Sequence, residues 1–384
     1  MTALPDHARS ASTSLWLEEP REELPRRRFD GRAEVAVIGG GVTGCSCALT
    51  LAERGVRVRL YEARAIAGGA SGRNGGFALR GATVPYDEAR RDLGDERARL
   101  LMELTERSLD RMEALAGDAF RRVGSLRLAY DEAERGALRR EHDALCADGF
   151  AVEWVDELAP PLDRLYLGAI HHPSDGAIQP ARWVRRLAAH AAAAGADLHE
   201  GEAVRVEALD ADAVVVAGDG FTAQLLPELA AHVRPTRGQV LATEPLPERL
   251  YERPHYARGG YDYWQQLPDG RLVLGGQRDA SFETEQTDVE ETTGLVQDRL
   301  DALGRDLLGR QPVVTNRWAG IWGTTPDLVP LVGRVPGRRD VWVAGGYSGH
   351  GNALGLACGD LVARALLGES PPELALFDPA RFSD

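Results

Sequence analysis

The run Val35-Ala36-Val37-Ile38 is apolar without alternation and is closed by Gly39-Gly40-Gly41. A short continuous apolar run bounded by turn residues predicts a strand buried on both faces, the kind found in parallel sheets. Past the glycines, Ala48, Leu49, Leu51 and Ala52 predict a helix that stops at Gly55. Val56, Val58, Leu60 and Tyr61 then predict a second strand ending at Glu62. Strand, helix and strand in this order make one βαβ-type unit. Ahead of it, residues 1–32 are rich in Pro, Glu and Arg and show no clear period, which predicts an extended leader over the surface.

Between Tyr86 and about Gly117 the pattern turns helical and charged, with Leu93, Leu100, Leu101, Leu104, Leu109 and Met112 as an apolar stripe. Leu126 to Ala129 reads as a strand and Pro180 to Ala194 as a helix. Ala213 to Ala217 is a buried strand that ends at Gly218-Asp219-Gly220. Residues 235–312 read differently, with strands such as Arg271-Leu272-Val273-Leu274 behind the turn Pro268-Asp269-Gly270. Finally Val341 to Ala344 predicts a strand, Gly345 to Gly351 a glycine-rich turn, and Asn352 to Leu367 a helix. No repeat at solenoid spacing is present. The pattern predicts an α/β chain. A discontinuous Rossmann-like domain takes residues 33–85, 177–233 and 313–370. A second α+β domain on an antiparallel or mixed sheet takes 86–176 and 234–312. Residues 1–32 form the leader and 371–384 a tail.

Composition narrows the chemistry. The 384 residues, 43% apolar, suffice for two or three domains with a large core. With 45 basic and 59 acidic residues the net charge is −14, which argues against nucleic acid as a partner. All the basic residues are arginine, so lysine Schiff bases, pyridoxal phosphate and Walker-type loops are excluded. Cys45, Cys47, Cys146 and Cys358 form no C-x-x-C pair and have no His at zinc spacing; they are expected to be reduced, mostly buried and free of metal. Asp6, Arg9, Glu18 and Glu19 precede any apolar run, which fits neither a signal peptide nor a membrane anchor. The uncharged stretch Val341 to Gly359 is too rich in Gly, Ser, His and Asn to span a bilayer, so cytoplasmic residence is expected by elimination. Gly346-Tyr347-Ser348-Gly349-His350 lacks the last glycine of a nucleophile elbow, and His171 and His172 before Pro173 predict a solvated pair in a loop.

The motif Gly39-x-Gly41-x-x-Gly44 lies between strand and helix, with Glu62 eighteen positions after Gly44. In this setting the glycines serve a tight turn, close approach of backbone to a pyrophosphate, and close packing of helix on strand. The helix N-terminus offers N–H groups to phosphates, and Glu62 can accept from both ribose hydroxyls. A dinucleotide is the expected ligand.

The segment Gly68-Gly69-Ala70-Ser71-Gly72-Arg73-Asn74-Gly75-Gly76-Phe77 lets backbone press against a flat ligand. With it the chain resembles the flavin-dependent oxidoreductases of the D-amino-acid oxidase superfamily, nearest the γ-glutamylputrescine oxidase and glycine/sarcosine oxidase branch. The likeness runs from Ser14-Leu15-Trp16 to Gly368 and includes Arg237-Gly238-Gln239, Trp318-Ala319-Gly320, Thr325-Pro326-Asp327 and Gly346-Tyr347-Ser348-Gly349-His350-Gly351. It implies bound FAD. The implied contacts are Gly39, Gly41, Val42, Thr43, Gly44, Glu62 and Ala63 from the first unit, and Ala70, Ser71, Arg73, Asn74, Gly75 and Gly76 from the second motif. Val204, Ala217 and Gly218, and Gly346, Gly349, His350, Gly351 and Asn352 at the last helix, complete them. Gly75 and Gly76 would lie near flavin N5, Val204 would meet adenine through its backbone, and the last turn would stabilise charge on reduced flavin.

The resemblance also implies hydride transfer to flavin N5 from a C–H next to an amine nitrogen, giving an imine that hydrolyses. By position, the carboxylate-binding arginine of sarcosine oxidases falls at Arg80, but its lysine partner falls at Ala353; the corresponding arginine of glycine oxidases falls in the segment holding Trp322. An amine is therefore favoured over a simple α-amino acid, with a glycine-, sarcosine- or D-amino-acid-type oxidase or dehydrogenase, and a non-catalytic flavin subunit, as alternatives. Arg80 can hold an anion or sit in a salt bridge. Tyr261, Tyr263, Trp264, Trp322 and Tyr347 can wall an aromatic pocket or belong to the core, and His350 can touch substrate or flavin or be structural. The covalent-flavin cysteine of monomeric sarcosine oxidases falls at Gly320, so FAD is expected to be non-covalent. Their oxygen-activating lysine falls near Val273, which leaves oxygen or another compound as electron acceptor.

Overall fold

The computed structural model describes residues 13–21, 23–25 and 28–382. One sheet has six strands in the order Leu331–Arg334, Val341–Gly345, Ala211–Val216, Ala33–Ile38, Val58–Glu62 and Asp197–Glu200. Five run parallel, and Leu331–Arg334 is an antiparallel edge. The unbroken apolar run at the start of the chain is explained by two-sided burial: Val35 and Val37 join one core, Ala36 and Ile38 another. The helices Val42–Glu53 and Gly351–Leu366 cross closely on one face. A Cβ at Gly359 would overlap the Thr43 carbonyl oxygen and come within 2.7 Å of Ser46 Cβ, and one at Gly355 would lie 2.7 Å from Val42 Cγ1. These small positions bring the two helix N-termini side by side, joined by a 2.8 Å hydrogen bond between Thr43 Oγ1 and the Tyr347 hydroxyl.

The second sheet has eight strands in the order Val314–Thr324, Arg234–Pro245, Arg271–Gly276, Asp262–Gln266, His255–Ala257, Ser125–Leu128, Ala169–His172 and Glu153–Val155. It is mixed, because His255–Ala257 and Ser125–Leu128 pair in parallel within an otherwise antiparallel array. The helix Gly294–Leu308 covers one face through Val296, Leu300, Leu303 and Leu307. A small sheet of Phe77–Ala78, Gly176–Ile178 and Phe120–Arg121 adjoins it in sequence and is built from three separate segments.

Several expectations are corrected. The strand Val314–Thr324 pairs along its length with Arg234–Pro245 and so belongs to the second sheet. The helical stretch after Tyr86 is two helices, Tyr86–Leu93 and Asp95–Ala116, broken where Gly94 takes φ +88°. His171 and His172 lie in a strand, and His172 is buried with Nδ1 3.4 Å from Arg80 Nη2. Part of the leader lies outside the described residues. Its described segment Leu15–Leu17 is a short 3-10 turn, with Trp16 buried edge-on to Trp318 and its Nε1 donating to the Asn74 carbonyl at 2.7 Å. Among the described residues no helix is long and apolar enough to cross a membrane.

Candidate active site

A cavity of about 610 Å³ lies between the two large sheets, a volume in the range of cofactor and small-molecule sites. From the first unit it is lined by Gly39, Gly41, Val42, Thr43, Glu62 and Ala63. The second glycine segment contributes Ala70, Ser71, Arg73, Asn74 and Gly75. Ala217 and Gly218 line it from the end of the interior strand Ala211–Val216, and Val204 from the loop after the edge strand Asp197–Glu200. Tyr347, Gly349, His350, Gly351 and Asn352 close it at the last helix, and Tyr263 and Trp322 face it from the second sheet.

Six residues singled out by sequence do not line it. Gly44 packs beneath: a Cβ there would overlap the Gly39 carbonyl oxygen. Gly76, at φ +80°, is held by Gln265 Nε2, which donates to the carbonyls of Gly75 and Gly76 at 2.7 and 2.8 Å. Gly346, at φ +79°, donates its N–H to Asp219 Oδ1 at 2.9 Å. Tyr261 lies under the Arg278 guanidinium, 4.4 Å from carbon to ring centre. Arg80 also lies outside this cavity. Its buried side chain pairs with Glu106, donates to the Ala151 carbonyl and meets His172, so it is committed before any substrate arrives. Trp264 belongs to the core under the second sheet.

The residues fit FAD on two structural grounds. Both helices whose N-termini open on the cavity lack a side-chain cap, at Gly41 and at His350. First-turn N–H groups have no intrahelical partner, so an enclosed, uncapped terminus favours a polar or anionic ligand. Glu62 is the second. Its two oxygens accept from Gly40 N–H at 2.7 Å and Arg64 N–H at 2.8 Å, which fixes the carboxylate while leaving lone pairs for ligand hydroxyls. Burial pushes its pKa up against those two donors. Ser71 Oγ accepts from Val42 N–H at 3.0 Å and so docks the second glycine segment onto the first helix.

The family model of FAD dependent oxidoreductases, DAO, matches residues 34–365. The chain belongs to the DAO family. As a DAO-family protein it is an FAD-dependent oxidoreductase that acts on amines or amino acids. It is 32% identical over 372 residues to a probable oxidoreductase OrdL of Rhizobium meliloti (strain 1021), covering 88% of this chain and 84% of that one. It is 29% identical over 370 residues to the gamma-glutamylputrescine oxidoreductase of Escherichia coli (strain K12), covering 88% and 84%. The crystal structure of glycine oxidase from Geobacillus kaustophilus is similar with a TM-score of 0.76 at 25% identity, over 92% of this chain and 98% of that one.

Among the cavity residues of this DAO-family chain that the sequence did not point to are Thr83, Tyr256 and Arg278. Asp219, flagged only as part of a turn, also lines the cavity and accepts from the N–H groups of Gly346 and Tyr347, which ties adjacent strand ends together. Burial raises its carboxyl pKa from 3.8 to about 6, outweighing those donors. Because the folded value lies above the unfolded one, this group's contribution to stability is complete below about pH 3.8 and is lost as pH rises through about 6. Asp219→Asn keeps an acceptor oxygen and removes the titration. Thermal melts from pH 3.8 to 6 should therefore show the parent losing stability relative to the variant as pH rises, by at most about 3 kcal/mol. Parallel curves for the two proteins would contradict this assignment.

Proposed function

We propose that the chain oxidises an amine at a C–H next to nitrogen, with FAD held by non-covalent contacts alone. Bound there, FAD supplies the redox step by accepting a hydride, and the imine released hydrolyses. Supporting the non-covalent reading, Cys45, Cys47 and Cys358 are buried away from the cavity, and Gly320 stands on its wall. Burial pushes all three thiols up, so they are poor nucleophiles. Tyr256, Tyr263, Trp322 and Tyr347 give the cavity an aromatic wall suited to an amine.

The observation that carries the amine reading is the hydrogen-bond state of His350. Thr83 Oγ1 donates its one proton to the Ser348 carbonyl at 2.7 Å, and it lies 3.1 Å from His350 Nδ1. With that proton spent, Thr83 can only accept, so His350 carries its proton on Nδ1 and the lone pair on Nε2. Burial, with Arg127 and Arg278 nearby, pushes the imidazole down to about 4, so it is neutral at working pH. A neutral ring with an open lone pair accepts an N–H from an uncharged amine and directs its nitrogen.

Two measurements test this. In the first, acid precipitation of the yellow protein should release its flavin to the supernatant, and an anaerobic panel of amines and amino acids should bleach the rest; a flavin that stays yellow with every compound would leave the non-catalytic alternative. In the second, kcat/KM should rise with pH toward the amine's own pKa without an inflection from His350. His350→Asn should lower kcat/KM about tenfold without moving that limb. A shifted limb would assign the titration to the histidine instead. Reoxidation of the bleached protein by oxygen, followed separately, distinguishes oxidase from dehydrogenase.

A further inference from the structure

We propose that Trp16, in the segment ahead of the first strand, is a positioning residue for the redox step: its indole N–H fixes the Asn74–Gly75 peptide so that the Gly75 N–H is offered to the cofactor cavity. The inference rests on FAD occupying that cavity. The carbonyls of four consecutive residues in the second glycine segment are held by buried side chains: Trp318 Nε1 donates to Arg73 at 2.8 Å, Trp16 Nε1 to Asn74 at 2.7 Å, and Gln265 Nε2 to Gly75 and Gly76 at 2.7 and 2.8 Å. Trp318 and Gln265 belong to strands of the second sheet, whereas the donor on the Asn74 carbonyl comes from the leader. Trp16 is built into this place. Its carbonyl accepts from Gln179 Nε2 at 3.1 Å, its N–H donates to the buried Ser14 Oγ at 3.3 Å, and a Cβ at Gly76 would lie 3.2 Å from its Cζ2.

In a trans peptide the N–H points opposite to the C=O, and the peptides on both sides of Asn74 are trans. With the Arg73 and Asn74 carbonyls turned to the two tryptophans, the N–H groups of Asn74 and Gly75 point away from them. Neither N–H has an acceptor among the described residues, and both residues line the cavity. The next N–H, that of Gly76, is taken by Asn74 Oδ1 at 2.8 Å. Two adjacent backbone N–H groups without partners on the wall of a cavity attract negative charge. Reduced flavin carries one more negative charge than the oxidised form, because a hydride brings an electron pair and one proton. An N–H aimed at it therefore favours the reduced state. Packing alone would be served by a phenyl ring. What the indole adds is the donor: without it the Asn74 carbonyl loses its partner, and a peptide that turns to find another takes the Gly75 N–H with it.

The test compares the purified yellow parent with Trp16→Phe and with a protein carrying the benzothienyl isostere of tryptophan at position 16, which keeps the shape of the ring and replaces its N–H by sulfur. The flavin midpoint potential is read by equilibration with a reference dye, flavin content by absorbance and folding by a thermal melt. Loss of the donor should lower the ratio of reduced to oxidised flavin at a fixed potential by about tenfold, a fall of about 30 mV for a two-electron couple, in a protein that stays folded and yellow. Glu19→Gln is the control. It weakens the anchor of the same segment, where Arg182 donates to the two Glu19 oxygens at 3.0 and 2.6 Å, and leaves the indole bond in place, so its potential should equal that of the parent. Should Trp16→Phe fail to fold, the isostere protein decides. An unchanged potential there overturns the proposal even if the melting temperature falls, since that is what a purely structural role gives. An equal shift in Glu19→Gln overturns it too, by tracing the effect to loosening of the segment. A parent that takes up no FAD would sink the cofactor assignment and this inference together, whereas a yellow parent whose isostere protein keeps its potential sinks this inference alone.

Discussion

Gly44→Val should give a nearly colourless protein. A Cβ at Gly44 would overlap the Gly39 carbonyl oxygen, come within 3.1 Å of its carbon and 3.3 Å of Val37 Cγ1. Two of these three obstacles are backbone, so no rotamer change relieves them. The helix Val42–Glu53 would have to lift off the strand Ala33–Ile38, and its first-turn N–H groups would leave the cavity with it. Overpacking of this kind costs about 3 kcal/mol or more, equivalent to at least a hundredfold in cofactor affinity if borne at the site. Flavin-to-protein absorbance ratio and a thermal melt measure both effects. Gly55→Ala, at φ +79° with nothing within 4 Å of its added Cβ, is the control: it should cost about 1 kcal/mol and keep its colour. A yellow Gly44→Val protein with normal flavin content would overturn the role given to this helix.

Glu285→Ala should be the most destabilising single change in the second domain, by about 3 to 5 kcal/mol. Glu285 is buried and receives two hydrogen bonds from Arg237, Nε to Oε2 at 2.8 Å and Nη2 to Oε1 at 3.0 Å, with Gln239 Nε2 adding a third at 3.0 Å. Truncation leaves a buried guanidinium with only the carbonyls of Thr284 and Val289. Replacing both partners, Arg237→Met with Glu285→Leu, removes the stranded charge and should recover most of the loss. Urea unfolding of the two proteins gives the comparison. A double variant no more stable than Glu285→Ala would mean that the loss comes from packing and not from charge.

The same pair explains what could and could not be read from the chain. Arg237-Gly238-Gln239 was recognisable as a shared tripeptide, but its work is structural. The two polar side chains hold Glu285, and the glycine makes room for Trp322, whose ring atom Cη2 would lie 2.8 Å from a Cβ at that position. Elements whose signal is local were legible. The helix Pro180–Ala194 has its expected bounds, and the strand-turn-helix at Gly39 lies where the glycines put it. Elements settled by distant pairing were not. Nothing in the apolar pattern of residues 314–324 says which sheet they join, because that depends on a register with residues 234–243.

The site divides in the same way. Its backbone lining follows from glycine spacing and was largely placed by sequence. Side-chain roles depend on neighbours brought by other elements. Arg80 could be counted into a binding position, but Glu106 arrives from the helix Asp95–Ala116 and claims it. Arg278 carried no local signal at all: its exposure to the cavity comes from the left-handed Gln277 and from rings at positions 261 and 322.

The crossing of Val42–Glu53 with Gly351–Leu366 joins two segments far apart in sequence. During synthesis a ribosome delivers the first of these helices some three hundred residues before the second. The nascent polypeptide therefore holds half of its nucleotide cradle open until the second helix has been made. The long-range contact that completes the pocket is also one of the last that folding can make.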